Sequence, residues 1–188
     1  MNAKEAAAAV REEFGDVVEK ATEFRGEFTI NVALGSLHDV MAHFKNELGF
    51  DYLIDISSLD HLGEEPRFEM VYELYSYAHG SHLRVKSPVE ASEREVATVT
   101  DLWPTANWHE REVYDMMGIE FKDHPDLRRI LMWEGFPFYP LRKDFPLAGK
   151  PSEMPDVAFS DAAPLAGGPF VTAPDATNPV TREPRSRE

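Results

Sequence analysis

Five short runs of residues that favour β-strands, separated by turn residues and one amphipathic helix, most constrain what this chain can fold into. The runs cover residues 17–22, 27–33, 52–58, 67–77 and 82–86. Arg25-Gly26 predicts a hairpin turn between the first two, and in the second Phe28, Ile30 and Val32 alternate with polar residues. The order ββαβββ predicts an α+β fold, in which one domain holds a mixed, mostly antiparallel sheet of about five strands covered by helices.

Three helices are expected. Residues 3–14 form the first, which Gly15 ends, and residues 104–117 form the last, because Pro104 suits a first turn and Gly118 follows the end. Ser36 with Asp39 predicts a capped start for the middle helix. Its apolar residues recur at helical spacing, which indicates core packing and not a ligand site: Leu37, Val40, Met41, Phe44 and Leu48.

Charge and cysteine content exclude several functions. A formal net charge of −15 repels phosphate backbones and anionic lipid, so we expect neither nucleic acid nor bare membrane as a partner. The chain has no cysteine, which excludes disulfides and thiolate-ligated clusters held by its own residues. No apolar stretch is long enough to span a bilayer, and the apolar run near Met1 is too short for a signal peptide.

The stretch beginning at His109 contains the strongest catalytic candidates, but no enzymatic template is complete. His109-Glu110 starts like a zinc-protease helix, yet Val113 stands where the second histidine is needed. No dinucleotide loop, nucleoside-triphosphate loop or nucleophile elbow is present. Glu110, Glu112 and Asp115 could serve as paired carboxylates for acid and base catalysis, so a stand-alone enzyme remains one alternative.

Helical geometry divides those carboxylates between two faces. Glu110 lies on the apolar face with Ala106, Val113, Met116 and Met117. The other face carries Trp108, Arg111, Glu112 and Asp115, where Arg111 and Asp115 are spaced to form an ion pair. This second face is either a solvated charged stripe or, because a tryptophan lies among the charges, a protein interface.

Two further charged elements follow. His124, next to Pro125, is typical of a hydrogen-bonded structural histidine. Residues 140–147 place Arg142, Lys143 and Asp144 between prolines, which favours a salt-bridged corner over an anion site.

Taken in order, these motifs resemble one family, the 30 kDa or C subunit of the proton-pumping NADH:quinone oxidoreductase, respiratory complex I. The residues that carry the resemblance are Glu110-Arg111-Glu112, Asp115-Met116-Met117, Gly118-Ile119, Phe121, residues 124–131 and residues 140–147. Related membrane-bound hydrogenase complexes contain similar subunits, so such a complex is the alternative.

The resemblance implies a non-catalytic scaffold subunit of the peripheral arm, on the cytoplasmic side of the bacterial inner membrane. Its partners would be other subunits of the complex, chiefly the D subunit. It implies that this chain binds no cofactor and no metal, and that NAD, FMN, iron–sulfur clusters and quinone belong to partner subunits. The signature and expected interface residues are Trp108, Glu110, Arg111, Glu112, Asp115, His124, Arg128, Arg129, Arg142, Lys143 and Asp144.

The sequence departs from the family pattern at two places. Phe138-Tyr139 stand where the family commonly has a Gly-His pair, so no role of that histidine is carried over. Met116-Met117 replace a more usual aromatic residue.

Domain boundaries are expected at residue 150. Residues 1–150 form the α+β domain, and the proline-rich residues 151–188 form a tail that is either disordered or extended along a partner. In the second case Phe159, Leu165 and Phe170-Val171 are the expected contact points.

Overall fold

The computed structural model describes residues 1–146, so the predicted tail and its apolar anchors lie outside the described residues. Residues Met1–Lys143 form one compact unit. The remaining described residues, 144–146, belong to a second unit.

A five-stranded sheet is the centre of the first unit. Its strands are β1 (Val18–Phe24), β2 (Glu27–Val32), β3 (Tyr52–Asp60), β4 (Phe68–Ser76) and β5 (Ser81–Val89). Their order in the sheet is β1-β2-β5-β4-β3, with β2 and β5 parallel and every other pair antiparallel. The predicted mixed, mostly antiparallel sheet of five strands is therefore confirmed, as is the hairpin turn at Arg25-Gly26.

The sheet separates an apolar face from a charged face because its strands alternate. On β4, Phe68, Met70, Tyr72 and Leu74 are buried in the core, where the helices cover them. The opposite face carries ion pairs between neighbouring strands, such as Arg84 Nε to Glu73 Oε1 at 2.5 Å.

Within residues 1–146, three α-helices accompany the sheet: α1 (Ala3–Phe14), α2 (Leu37–Asn46) and α3 (Ala106–Met117). The predicted cap at Ser36 is wrong, because Ser36 occupies the N-cap position of α2 without a side-chain hydrogen bond. The chain enters α2 from a 3-10 turn, in which the amide of Leu37 donates to the carbonyl of Leu34. A backbone carbonyl, and not the Ser36 side chain, is therefore the acceptor for this amide at the start of the helix. A capping box does form at α1, where the side chains and amides of Asn2 and Glu5 bond reciprocally.

Two short parallel strands, which sequence analysis missed, lie before and after α3. They are β6 (Glu95–Ala97) and β7 (Glu120–Lys122). Three residues are too few to show a strand period, so no pattern could reveal them. Gly118, with φ +68, ends α3 as predicted and lets the chain turn directly into β7.

Candidate functional site

The site is built around residues 124–143, here called the C-terminal segment, which contains no helix or strand. Because the segment lacks the backbone hydrogen bonds of a helix or a sheet, its amides and carbonyls need other hydrogen-bond partners. Side chains from α3 and from the segment itself do so.

Asp115 is the main attachment point. Its side chain is fully buried, and Oδ2 accepts hydrogen bonds from the amides of Ile130, Leu131 and Met132 at 3.0, 2.7 and 2.8 Å. Oδ1 pairs with Nη1 of Arg129 at 2.5 Å. Burial alone would raise the pKa of Asp115, but the amides of Met132 and Leu131, the Arg129 guanidinium and the Ile130 amide together lower it below its ordinary value. Asp115 is therefore held as a carboxylate that binds backbone.

Arg129 extends this attachment to the far end of the segment. Nη1 also donates to the carbonyl of Asp115 at 3.0 Å, and Nη2 donates to the carbonyl of Phe138 at 3.2 Å. The guanidinium lies over the Tyr139 ring, 5.3 Å from its centroid. Tyr139 thus packs against a cation in this chain.

Arg111 does not form the predicted ion pair with Asp115. Its Nε and Nη2 instead donate to the carbonyls of Arg128 and Arg129 at 3.1 and 3.4 Å, because Asp115 is already occupied by Arg129 and three amides. Arg111 is only 7% exposed, and its guanidinium lies 5.2 Å from the Trp108 ring centroid. Of the two alternatives for this face, the solvated stripe is therefore wrong for Arg111 and Asp115, since the C-terminal segment covers both.

Arg142 attaches the end of the segment to the end of α3. Its Nε and Nη2 donate to the carbonyls of Met117 and Gly118 at 2.6 and 3.3 Å, and its guanidinium stacks 4.2 Å from the Tyr139 centroid. A β-carbon at Gly118 would lie 2.5 Å from Cζ of Tyr139 and would also meet the Arg142 guanidinium. Glycine is required here by both the turn and the close approach.

Lys143 is fixed through its backbone. Its amide donates to Oδ2 of Asp60 at 2.8 Å, and Asp60 also pairs with Nε and Nη2 of Arg67 at 2.8 and 2.9 Å. The bond from Arg67 outweighs burial and lowers the pKa of Asp60. Asp60 and Arg67 were not predicted as site residues, because nothing in a strand pattern indicates that a strand end will bind a segment more than eighty residues away.

Glu110 and His124 form a second buried group on the inner side of α3. Glu110 accepts hydrogen bonds from Thr98 and from the amide of Val99, and His124 Nε2 lies 3.9 Å from Glu110 Oε2. His124 also accepts from the amide of Asp126 at 3.0 Å and bonds to the carbonyl of Asn107 at 3.3 Å. The prediction that His124 is a hydrogen-bonded structural residue is confirmed.

The remaining predicted residues lie at the surface. Trp108 is 61% exposed, and Arg128 forms an exposed ion pair with Asp126 at 2.9 Å. Glu112, Lys143 and Asp144 are also exposed. Leu131 and Leu141, at 57% and 61% exposure, were missed, because their exposure depends on an irregular backbone that has no period.

The three carboxylates that could have formed a catalytic set point to three environments. Glu110 faces residues 98–99, Asp115 faces residues 130–132, and Glu112 faces solvent. Across the described residues, no group of three or more acidic or histidine side chains could hold a metal ion. The arrangement holds a segment in place and presents an exposed surface beside it.

No helix within residues 1–146 combines the length and apolarity needed to cross a bilayer.

Comparison with known proteins identifies several relatives. A family model described as the 30 kDa subunit of the respiratory-chain NADH dehydrogenase matches residues 30–151. The chain is 45% identical over 144 residues to the C subunit of NADH-quinone oxidoreductase from Geotalea uraniireducens, an alignment that covers 77% of this chain and 88% of the relative. It is 44% identical over 170 residues to the C 2 subunit of the same oxidoreductase from Rhizobium meliloti, which covers 89% of each.

Two solved structures resemble the chain. A trypsin-resistant fragment of Nqo5 superposes with a TM-score of 0.61 and 34% identity, covering 68% of this chain and 100% of the fragment. A chain of the archaeal membrane-bound sulfane sulfur reductase superposes with a TM-score of 0.66 at 24% identity, covering 77% of this chain and 85% of that chain. The second likeness concerns the fold alone.

Proposed function

The chain belongs to the family of the respiratory-chain NADH dehydrogenase 30 kDa subunit and is a subunit of the NADH:quinone oxidoreductase, in whose peripheral arm we propose that it acts as a non-catalytic scaffold. One observation carries the proposal. Four charged residues of the family signature, Arg111, Asp115, Arg129 and Arg142, bind the backbone of their own chain. The apolar and aromatic side chains of Trp108, Leu131 and Leu141 are exposed.

The exposed groups have the composition of an interface. Trp108, Leu131 and Leu141 are each more than half exposed. Aromatic side chains with nearby arginine are enriched at protein interfaces, and large apolar side chains gain from burial against a partner. The side-chain contacts to backbone fix the segment that carries Leu131 and Leu141, which reduces the ordering cost of binding.

The partner that this surface binds is another subunit of the complex, and we propose the D subunit with its peripheral-arm neighbours. NAD, FMN, the iron–sulfur clusters and quinone would then be bound by those partners, since this chain has no thiolate and no nucleotide loop. The complex would place the chain on the cytoplasmic side of the bacterial inner membrane.

Co-purification tests the proposal. The full chain, tagged and produced in cells that lack their own copy, should recover the other subunits from detergent-solubilised membranes. The double variant Trp108→Ala, Leu131→Ala should reduce that recovery several-fold while the thermal midpoint of the free chain changes little. The matched control is Phe24→Ala, a 67% exposed aromatic on the β1–β2 hairpin, which should leave recovery unchanged.

Two outcomes would contradict the proposal, the first its binding surface and the second its scaffold role. One is full recovery of partners by the double variant, which would mean that another surface makes the contact. The other is turnover of NADH or quinone by the purified chain alone, which would favour the stand-alone enzyme.

A further inference from the structure

Glu110 is a buried acid without a cation to neutralise it among its hydrogen-bond partners in the described part of the chain. It has no exposed area, its Oε1 accepts from the amide of Val99 at 2.7 Å, and its Oε2 bonds to the Thr98 hydroxyl at 2.5 Å. The next residue, Arg111, directs its guanidinium to the C-terminal segment. Leaving a carboxylate in such a position is costly, so the neutral acid is favoured.

The titratable groups that face Glu110 do not remove this cost. Tyr72 of β4 is fully buried, and its hydroxyl has no hydrogen-bond partner within residues 1–146. Asp101, beyond β6, adds a like charge. His124, after β7, accepts from an amide through Nδ1, so its neutral ring carries the proton on Nε2, 3.9 Å from Glu110. Burial lowers the pKa of His124, which keeps that ring neutral.

A short hydroxyl chain connects Glu110 to solvent. The Thr98 hydroxyl lies 2.5 Å from Glu110 Oε2 and 2.9 Å from the Thr100 hydroxyl. Thr100 is half-buried and lines an open cavity of about 350 Å³. His38 and Asp101 also line this cavity, where Nε2 of His38 bonds to Asp101 Oδ2 at 3.0 Å.

We propose that Glu110 is a proton-binding site that exchanges its proton with solvent through the hydroxyls of Thr98 and Thr100, and that its charge sets how firmly α3 is held to residues 98–101. In the protonated form, Glu110 Oε2 donates to the Thr98 hydroxyl, Thr98 donates to Thr100, and Thr100 donates to a water in the cavity. In the release step each of these protons moves to the next oxygen, so that Thr98 then donates to the carboxylate, the direction seen in the structure. Both hydroxyls end neutral, Glu110 ends as a carboxylate, and the water carries the proton away.

Burial and neighbouring charge place the proton exchange of Glu110 near pH 7. Burial raises the pKa of Glu110 to about 7, while the bonds from Thr98 and Val99 oppose the rise and Asp101 adds to it. In the unfolded chain, the same group titrates at its ordinary value of 4.5. The folded chain therefore keeps a proton that the unfolded chain has released between those two values.

The sign of the effect on stability follows from this difference. Because the unfolded state binds fewer protons in that window, the contribution of Glu110 to stability is greatest below pH 4.5 and falls as the pH rises toward 7. The unfolding equilibrium constant should rise by up to about tenfold per pH unit across the window. His124 has the opposite effect near its own titration, so the comparison with a Glu110 variant isolates the Glu110 part.

The first test is a titration of the full chain labelled with ¹³C at the glutamate carboxyl carbons. One resonance should titrate near pH 7, and Glu110→Gln, which imitates the protonated acid, should remove it. In urea unfolding, the free energy of unfolding of that variant should no longer fall between pH 4.5 and 7. If the variant does not fold, through-bond correlations assign the resonance in the unaltered chain. A midpoint below pH 5 would overturn the site.

The second test concerns the route. Thr100→Val removes the second hydroxyl without touching Glu110, so the midpoint should stay where it is while exchange between the two forms becomes several-fold slower in relaxation dispersion of the carboxyl carbon. Thr22→Val, at an exposed position of β1, is the matched control. An unchanged exchange rate in Thr100→Val would refute the hydroxyl route.

Discussion

The five-stranded sheet and the C-terminal segment both place arginines beside acids, but they use charge differently. On the sheet, Arg84 meets Glu73 at 2.5 Å and Lys86 meets Glu69 at 2.6 Å, between strands that their backbone ladders already join. In the segment, Asp115 binds three amides, and Arg111, Arg129 and Arg142 bind carbonyls. In the segment, charged side chains provide the hydrogen bonds to the backbone that neighbouring strands provide in the sheet.

This difference determines what a mutation removes. Loss of one charge on the sheet removes a side-chain pair and leaves every backbone bond in place. Loss of Asp115 leaves three amides without their acceptor and removes the carboxylate partner of the Arg129 guanidinium, which costs more than the bonds themselves contributed.

Asp115→Ala should produce the largest effect on the free chain. Removing one partner of a buried ion pair costs about 3 to 5 kcal/mol, and the three amides add to this cost. Urea unfolding of the full chain measures the loss. The control is Glu27→Ala, whose carboxylate is 55% exposed and lies 3.3 Å from Arg84, and about 0 to 1 kcal/mol is expected there.

Equal losses in the two variants would show that the segment does not depend on Asp115. Limited proteolysis adds a local measurement, since cuts within residues 124–143 should appear first in Asp115→Ala. Cleavage that begins in the sheet would contradict the expectation that Asp115 holds the C-terminal segment and not the sheet.

Gly118→Ala should follow in size. A positive φ costs an L-residue about 1 to 2 kcal/mol, and forcing a methyl group against Tyr139 and Arg142 adds about 1 to 3 kcal/mol. Gly26→Ala is the matched control, because Gly26 has φ +85 but no atom within 4 Å of an added β-carbon. The difference between the two free energies of unfolding measures the close approach alone, and no difference would mean that the segment moves away without cost.

Acid should loosen the segment before the sheet. The pKa of Asp115 is lower in the folded chain than its ordinary 3.8, so its stabilising contribution is present above that value and is lost as the pH falls through the folded pKa. Asp60 behaves in the same way. Hydrogen exchange of the Ile130, Leu131 and Met132 amides should therefore accelerate at low pH relative to the amides of β4. Parallel loss of protection in both regions would contradict this.

Alternation and turn residues were sufficient to predict the five strands, most clearly β4 and β5, in which burial alternates along all or most of the strand. The candidate site residues were named from the family resemblance, and helical periodicity misplaced two of them. A helical wheel assigned Arg111 and Asp115 to an outer face, yet the chain after β7 returns to cover that face.

That return could not be predicted locally. The contacts of Asp115 with residues 130–132 and of Asp60 with Lys143 join positions that no short pattern relates. The resemblance to the 30 kDa subunit supplied the family, and the geometry shows what the charged side chains of that signature contact in this chain. Asp60 is identified as part of the site only from the folded structure, in which it accepts a hydrogen bond from the amide of Lys143.

Arg128→Ala should have the smallest effect on the free chain and therefore separates folding from assembly most clearly. The Arg128 side chain forms an ion pair with Asp126 that is exposed at both ends, so its removal should cost about 0 to 1 kcal/mol in urea unfolding. Its carbonyl, which accepts from Arg111, remains in the variant. If the surface around Trp108 and Leu131 binds a partner subunit, Arg128→Ala should reduce the recovery of partner subunits at unchanged stability. Lys20→Ala, at an exposed position of β1, should leave that recovery unchanged. Unchanged recovery in both variants would assign Arg128 to solvent and confine the contact to the apolar groups around it.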